Sequence, residues 1–190
     1  MRARQHSSDG NRKIRVAPAL LTALFASLCV APQCVAQSGA TLEYEEKAAF
    51  LLNFTKFIEW PTAELGTAGS PIPICILGDD PFGATLDQIV EGETVQGRNL
   101  VVQRVRGAVP QSCRVVYISG SIKDARPALS SFSRGVLTIG EGENFIRQGG
   151  MIGFVIENQR VRFDINHRVA EMNGLKVSSR LLRVARSSLR

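Results

Sequence analysis

The residues that could make or break bonds are few. The 190-residue chain has two histidines, His6 and His167, and four cysteines. His6 sits in a basic leader, so every nucleophile would have to share His167 as its base. The chain carries neither a G-x-S-x-G turn nor an H-E-x-x-H helix. Cys75 and Cys113 are too far apart for a two-residue redox pair, and no histidine cluster completes a metal ligand set. These residues point away from an enzyme and predict no cofactor and no metal.

His167 lies in Asp164-Ile-Asn-His-Arg168, at an expected strand-to-helix junction. One reading makes Asp164, His167, Arg168 and the later Arg180 a polar contact or small-ligand pocket. The commoner explanation for such a junction is a capping cluster with a partly exposed imidazole. Arg180, Arg183 and Arg186 recur at spacing three, as a solvated helix face or as a cationic edge for an acidic partner. The run Gly78-Asp79-Asp80-Pro81-Phe82-Gly83 lacks the glycine pattern of a nucleotide loop, and its two aspartates would repel a phosphate.

The leader decides the compartment. Arg2, Arg4, Arg12, Lys13 and Arg15 stand against Asp9 alone, and an apolar run over residues 16–30 follows, too short to span a bilayer. Residues 1–36 therefore read as a signal peptide cut after Ala36, with Ala31 the second choice. Lipid attachment at Cys29 or Cys34 fits poorly, because Leu28 and Gln33 precede them where a small residue is wanted. Cleavage takes five of the 23 basic residues and one of the 17 acidic ones, so the net charge falls from +6 to about +2. With no basic run interleaved with aromatics, nucleic acid is excluded as a partner. The product, residues 37–190, makes one domain placed in the periplasm. There, two leftover thiols read as a Cys75–Cys113 disulfide, a structural staple first and a redox sensor second.

The elements that position these residues follow from pattern. A helix is expected over 43–60, opened by Glu43, Glu45 and Glu46 and ended by Pro61. Short apolar runs predict strands over 74–77, 99–105, 113–118 and 135–139. Helices are expected after Asp80 as N-cap with Pro81 as first residue, after a Ser121/Asp124 capping box, and briefly over 144–148. Strands over 151–157 and 160–165 flank Asn158-Gln159 as a hairpin, and helices over 166–172 and 178–186 part at Asn173-Gly174. The fold class is α/β: a mainly parallel sheet with helices on both faces and an antiparallel hairpin late in the chain.

On the first helix, Tyr44, Ala48, Leu51, Leu52 and Ile58 form one stripe, and Phe50, Phe54 and Phe57 a second beside it. The arc is wider than one sheet contact needs. Either the helix is sunk in the core, or Phe50, Phe54, Phe57 and Trp60 meet a second subunit or a partner.

Two segments carry a resemblance. Lys47-Ala-Ala-Phe-Leu-Leu-Asn-Phe-Thr-Lys-Phe-Ile-Glu-Trp-Pro61 resembles the opening helix of the YfiR-like periplasmic proteins. Gly150-Met-Ile-Gly-Phe-Val-Ile-Glu-Asn-Gln-Arg-Val-Arg-Phe-Asp-Ile-Asn166, continued by Gly174-Leu-Lys-Val-Ser-Ser-Arg-Leu-Leu-Arg-Val-Ala-Arg186, resembles their closing half. The resemblance implies a non-enzymatic α/β regulator that binds the periplasmic sensor region of an inner-membrane diguanylate cyclase and holds it inactive. It further implies an outer-membrane lipoprotein that sequesters the repressor, a homodimer, and control of cyclic-di-GMP, exopolysaccharide and biofilm. Some family members carry a second cysteine pair nearer the C-terminus. This chain has no cysteine after Cys113, which weighs against a redox switch.

Overall fold

Runs of buried β-branched and aliphatic residues too short for helices build the centre of the molecule, as a computed structural model shows for residues 35–189. In chain order these residues form α1 (Val35–Phe57), β1 (Ile58–Glu59), a 3-10 turn (Thr62–Leu65), β2 (Ile72–Leu77), α2 (Ala84–Val90), β3 (Thr94–Val95), β4 (Arg98–Val105) and β5 (Val115–Ile118). Then follow α3 (Arg126–Ser131), β6 (Leu137–Glu141), α4 (Gly142–Arg147), β7 (Ile152–Glu157), β8 (Arg160–Asn166), α5 (His167–Met172), β9 (Lys176–Val177), α6 (Ser179–Val184) and β10 (Ser187–Leu189). The eight-stranded sheet runs β10-β8-β7-β6-β5-β2-β4-β3. Its centre, from β4 through β7, is parallel, and β7–β8 is the late antiparallel hairpin.

The period-two alternation of the strands sorts two cores onto the two faces. Ile74, Ile76, Val115 and Tyr117 face one cluster with α1, while Cys75, Leu77, Val116 and Ile118 face the other, with Ala125 and the flank of α3. The sheet is thus covered on both sides, as buried parallel strands require. The Cys75–Cys113 disulfide closes the second core, joining β2 to the approach of β5.

Several expectations are corrected. α1 ends at Phe57 rather than at Trp60, because Ile58 and Glu59 leave the helix to pair with Val177 and Lys176. Asp80 does not cap a helix at Pro81. Its Oδ1 accepts from the amides of Phe82 and Gly83, and the +54° φ of Gly83 delays the helix to Ala84. The Ser121/Asp124 capping box is absent: Asp124 instead holds the amide and guanidinium of Arg126, where α3 starts. The last helix stops at Val184, since the amide of Arg186 bonds to the Phe163 carbonyl and the chain enters the sheet as β10, parallel to β8. That strand was unexpected. The leader over residues 1–34 lies outside the described residues, and the expected cut after Ala36 falls in the first turn of α1.

The aromatic arc of α1 is mostly core. Phe54 is fully enclosed, 4.9 Å from the Phe163 ring and 5.6 Å from that of Phe154. Trp60 is 4% exposed, and Phe50 and Phe57 are half-buried against the same cluster. As free contact surface for a partner, Phe54 and Trp60 are corrected. The second stripe exists because α1 packs against the β7–β8 hairpin through these rings as well as against α2.

Candidate functional site

The first helix carries a lysine on its buried face. Lys47 stands three residues after Tyr44, one before Ala48 and four before Leu51, so helical geometry turns it inward with them. It is 1% exposed, and an ammonium in that position needs anionic partners. Glu43, one turn earlier, supplies one at 2.5 Å, and Glu141 at the end of β6 supplies both oxygens, at 2.7 and 3.0 Å. The ammonium also lies 4.4 Å from the Tyr44 ring centroid.

β5 adds the third member. Tyr117 is wholly buried beside β6, and its hydroxyl donates to Glu141 Oε1. Burial, then the Glu141 charge and its hydrogen bond, push the Tyr117 phenol far up from its ordinary value. Burial and Glu141 also raise Tyr44. For Lys47, burial alone would favour the neutral amine, but the bonds to Glu141 and Glu43 outweigh it and hold the ammonium above the ordinary lysine range.

Two members of this network, Tyr44 and Glu141, line an open cleft of about 660 Å³ at the carboxyl ends of β5, β6 and β7. Ile118, Ile122, Phe154 and Ile156 give it an apolar wall, and Glu141, Glu143, Lys123 and Arg186 give it charge of both signs. Arg186 is held by Asp164, to which it donates from Nε at 2.9 Å, and by Glu143 at 2.7 Å. The Asp164 and Glu143 bonds raise Arg186 above its ordinary value.

The residues singled out from sequence are placed differently. Asp164 is 5% exposed and pairs with Arg186, outside any cluster with His167. His167 Nε2 lies 3.5 Å from Glu171, one turn along α5, and Asn166 rather than Asp164 caps that helix. Arg168 and Arg180 are exposed, and none of these four residues lines the cleft. Among the described residues no group of His, Cys, Asp and Glu is arranged to hold a metal ion. The sequence reasoning missed Lys47, Tyr117 and Glu141. A charged residue in register with an apolar stripe was the available signal for Lys47, as was a lone hydroxyl in the buried run Val115-Val-Tyr-Ile118 for Tyr117.

The YfiR/HmsC-like family model matches residues 44–186, which is most of the chain. The protein belongs to the YfiR/HmsC-like family. The family is a regulatory, non-catalytic one of periplasmic proteins associated with diguanylate cyclase signalling. Among the described residues no helix is long and apolar enough to cross a membrane. No curated protein matches the chain. A solved structure from Vibrio cholerae O1 biovar El Tor, described as a conserved domain protein, is similar at a TM-score of 0.48 and 10% identity. The similarity covers 76% of this chain and 60% of that one.

Proposed function

We propose that this YfiR/HmsC-like protein is exported to the periplasm by cleavage of residues 1–36. There it binds the periplasmic sensor region of an inner-membrane diguanylate cyclase and represses it. An outer-membrane lipoprotein relieves the repression by sequestering it, and the exported form pairs as a homodimer. The family match over residues 44–186 carries this reading. Lys47 and Tyr117, buried in the network that Glu141 joins to the cleft, both hold their protons more tightly than free side chains do, whereas a proton-transfer catalyst needs a group poised near the working pH.

Co-purification tests the reading. The tagged, processed protein should bring down a membrane diguanylate cyclase in a stoichiometric complex, and recovery of the protein free of any cyclase from membranes that contain one would overturn it. The cleft supports a second reading, a small-ligand sensor. A metabolite that raises the melting temperature in proportion to its concentration would favour that alternative.

A further inference from the structure

Arginine dominates the outer faces of α5 and α6. On α6, Arg180, Arg183 and Val184 stand at i, i+3 and i+4 and share one face, turned away from the buried Leu181. On α5, Arg168 and Met172 lie one turn apart on the side opposite the buried Ala170. Val169 and Ala170 of α5 and Leu181, Leu182 and Ala185 of α6 all join the core that α1 covers, so both outer faces lie on the α1 side of the sheet.

The charge here is in surplus. Arg168, Arg180 and Arg183 are exposed, and among the described residues none of their guanidinium groups has a hydrogen-bonding or ionic partner. Lys176, exposed on β9 between the two helices, adds a fourth cation. The acids on these elements and on β1 are Glu171, 3.5 Å from His167 Nε2, and Glu59, which stands opposite Lys176 in register. With the arginines come Met172 and Val184, 66% and 57% exposed. The exposed large apolar side chains among the described residues include no aromatic, and neither helix lines the cleft. The surface thus lacks the aromatic anchor and the pocket of a protein hot spot. Unpaired arginines beside open aliphatic side chains suit phosphate headgroups lying over acyl chains.

We propose that the outer faces of α5 and α6 rest on an anionic phospholipid surface, with Arg168, Arg180 and Arg183 at the phosphates and Met172 and Val184 between the headgroups. This rests on the repressor reading, which brings the protein to a cyclase rooted in the inner membrane. Lipid contact concentrates the repressor at that membrane, so the protein-protein contact forms from a bound pool.

Vesicle sedimentation of the processed protein tests this. Binding should saturate on vesicles of equal parts phosphatidylglycerol and phosphatidylcholine, be absent on phosphatidylcholine alone, and be lost in molar salt. Arg180→Gln with Arg183→Gln should weaken binding by about 25-fold, near fivefold for each charge, at an unchanged melting temperature. Arg106→Gln, which removes an exposed arginine just past β4 toward the other edge of the sheet, should leave binding unchanged. Equal binding to both vesicle types, no binding to either, or equal weakening by Arg106→Gln overturns the proposal. So does a double variant that sediments like the parent protein, or one that loses the cyclase's sensor region in detergent, which would make this face a protein contact. Failure on vesicles with the cyclase still co-purifying leaves the repressor reading standing, whereas vesicle binding without any cyclase contact sinks that reading alone.

Discussion

Lys47 Nζ lies 2.7 Å from Glu141 Oε2, joining the first helix to the end of β6 across 94 residues of sequence. The ammonium is 1% exposed, whereas the two carboxylates it serves are 33% and 24% exposed. The bond is therefore a buried cation held by half-solvated acids, and its removal strands two like charges beside an apolar core. Lys47→Met should lower unfolding free energy by about 2–3 kcal/mol, below the usual cost of breaking a fully buried pair because both carboxylates keep some water. Urea denaturation checks this, and a change below about 0.5 kcal/mol would show the network to be energetically idle.

The same network predicts an alkaline limb. Both Lys47 and Tyr117 hold their protons more tightly folded than unfolded. Their contribution is therefore complete below the unfolded values near pH 10 and is lost as pH rises through the higher folded ones. On the acid side, Arg104 holds Asp87 below the usual carboxylate range, so that contribution is present above about pH 4 and lost as pH falls through the folded value. Asp87 is well exposed, and its limb should be shallow. Urea midpoints across the pH range check both signs. A midpoint that rises above pH 10 would contradict the alkaline prediction.

Two glycines seat Phe145, whose ring lines the cleft. A Cβ on Gly150 would come within 2.1 Å of Phe145 Cε1, and one on Gly140 within 2.6 Å of Cδ2, so the buried ring lies against two backbones. Gly150→Ala should force Phe145 from its site and destabilise by about 1–3 kcal/mol. Thermal unfolding reads this, and an unchanged melting temperature would show that the ring has room to move.

The disulfide is shielded. Cys75 is fully buried and Cys113 1% exposed, inside the core shared with Val116 and Val136. A reductant should reach the bond through opening of the fold, so the reduction rate should climb with added urea below the unfolding transition. Replacing both cysteines should cost roughly 2–4 kcal/mol, the usual value for a closed loop of this size. Rapid reduction in buffer, independent of urea, would mark an accessible switch instead.

Much of the fold was legible because its elements announce themselves locally. The apolar runs around Ile74, Val116 and Ile139 are too short to be helices, and Asn158-Gln159 makes the hairpin with both residues at positive φ. What stayed hidden depends on distant partners. Ile58 and Glu59 are a strand because Lys176 and Val177 lie opposite them, and Ser187 to Leu189 because β8 leaves an open edge. The site was hidden for the same reason. The chemistry of Lys47 depends on Glu141, and nothing near Lys47 in sequence names that residue. His167 drew attention as the lone imidazole, yet its neighbour in space is Glu171, one helical turn away.

The central claim is repression by contact, and the most direct test is cellular cyclic-di-GMP in strains with and without this gene. With the cognate cyclase present, deletion should raise the nucleotide and a plasmid copy should restore it. Deletion in a cyclase-null strain should change nothing. Cyclic-di-GMP that stays level on deletion, while the cyclase is expressed and active, would contradict the account.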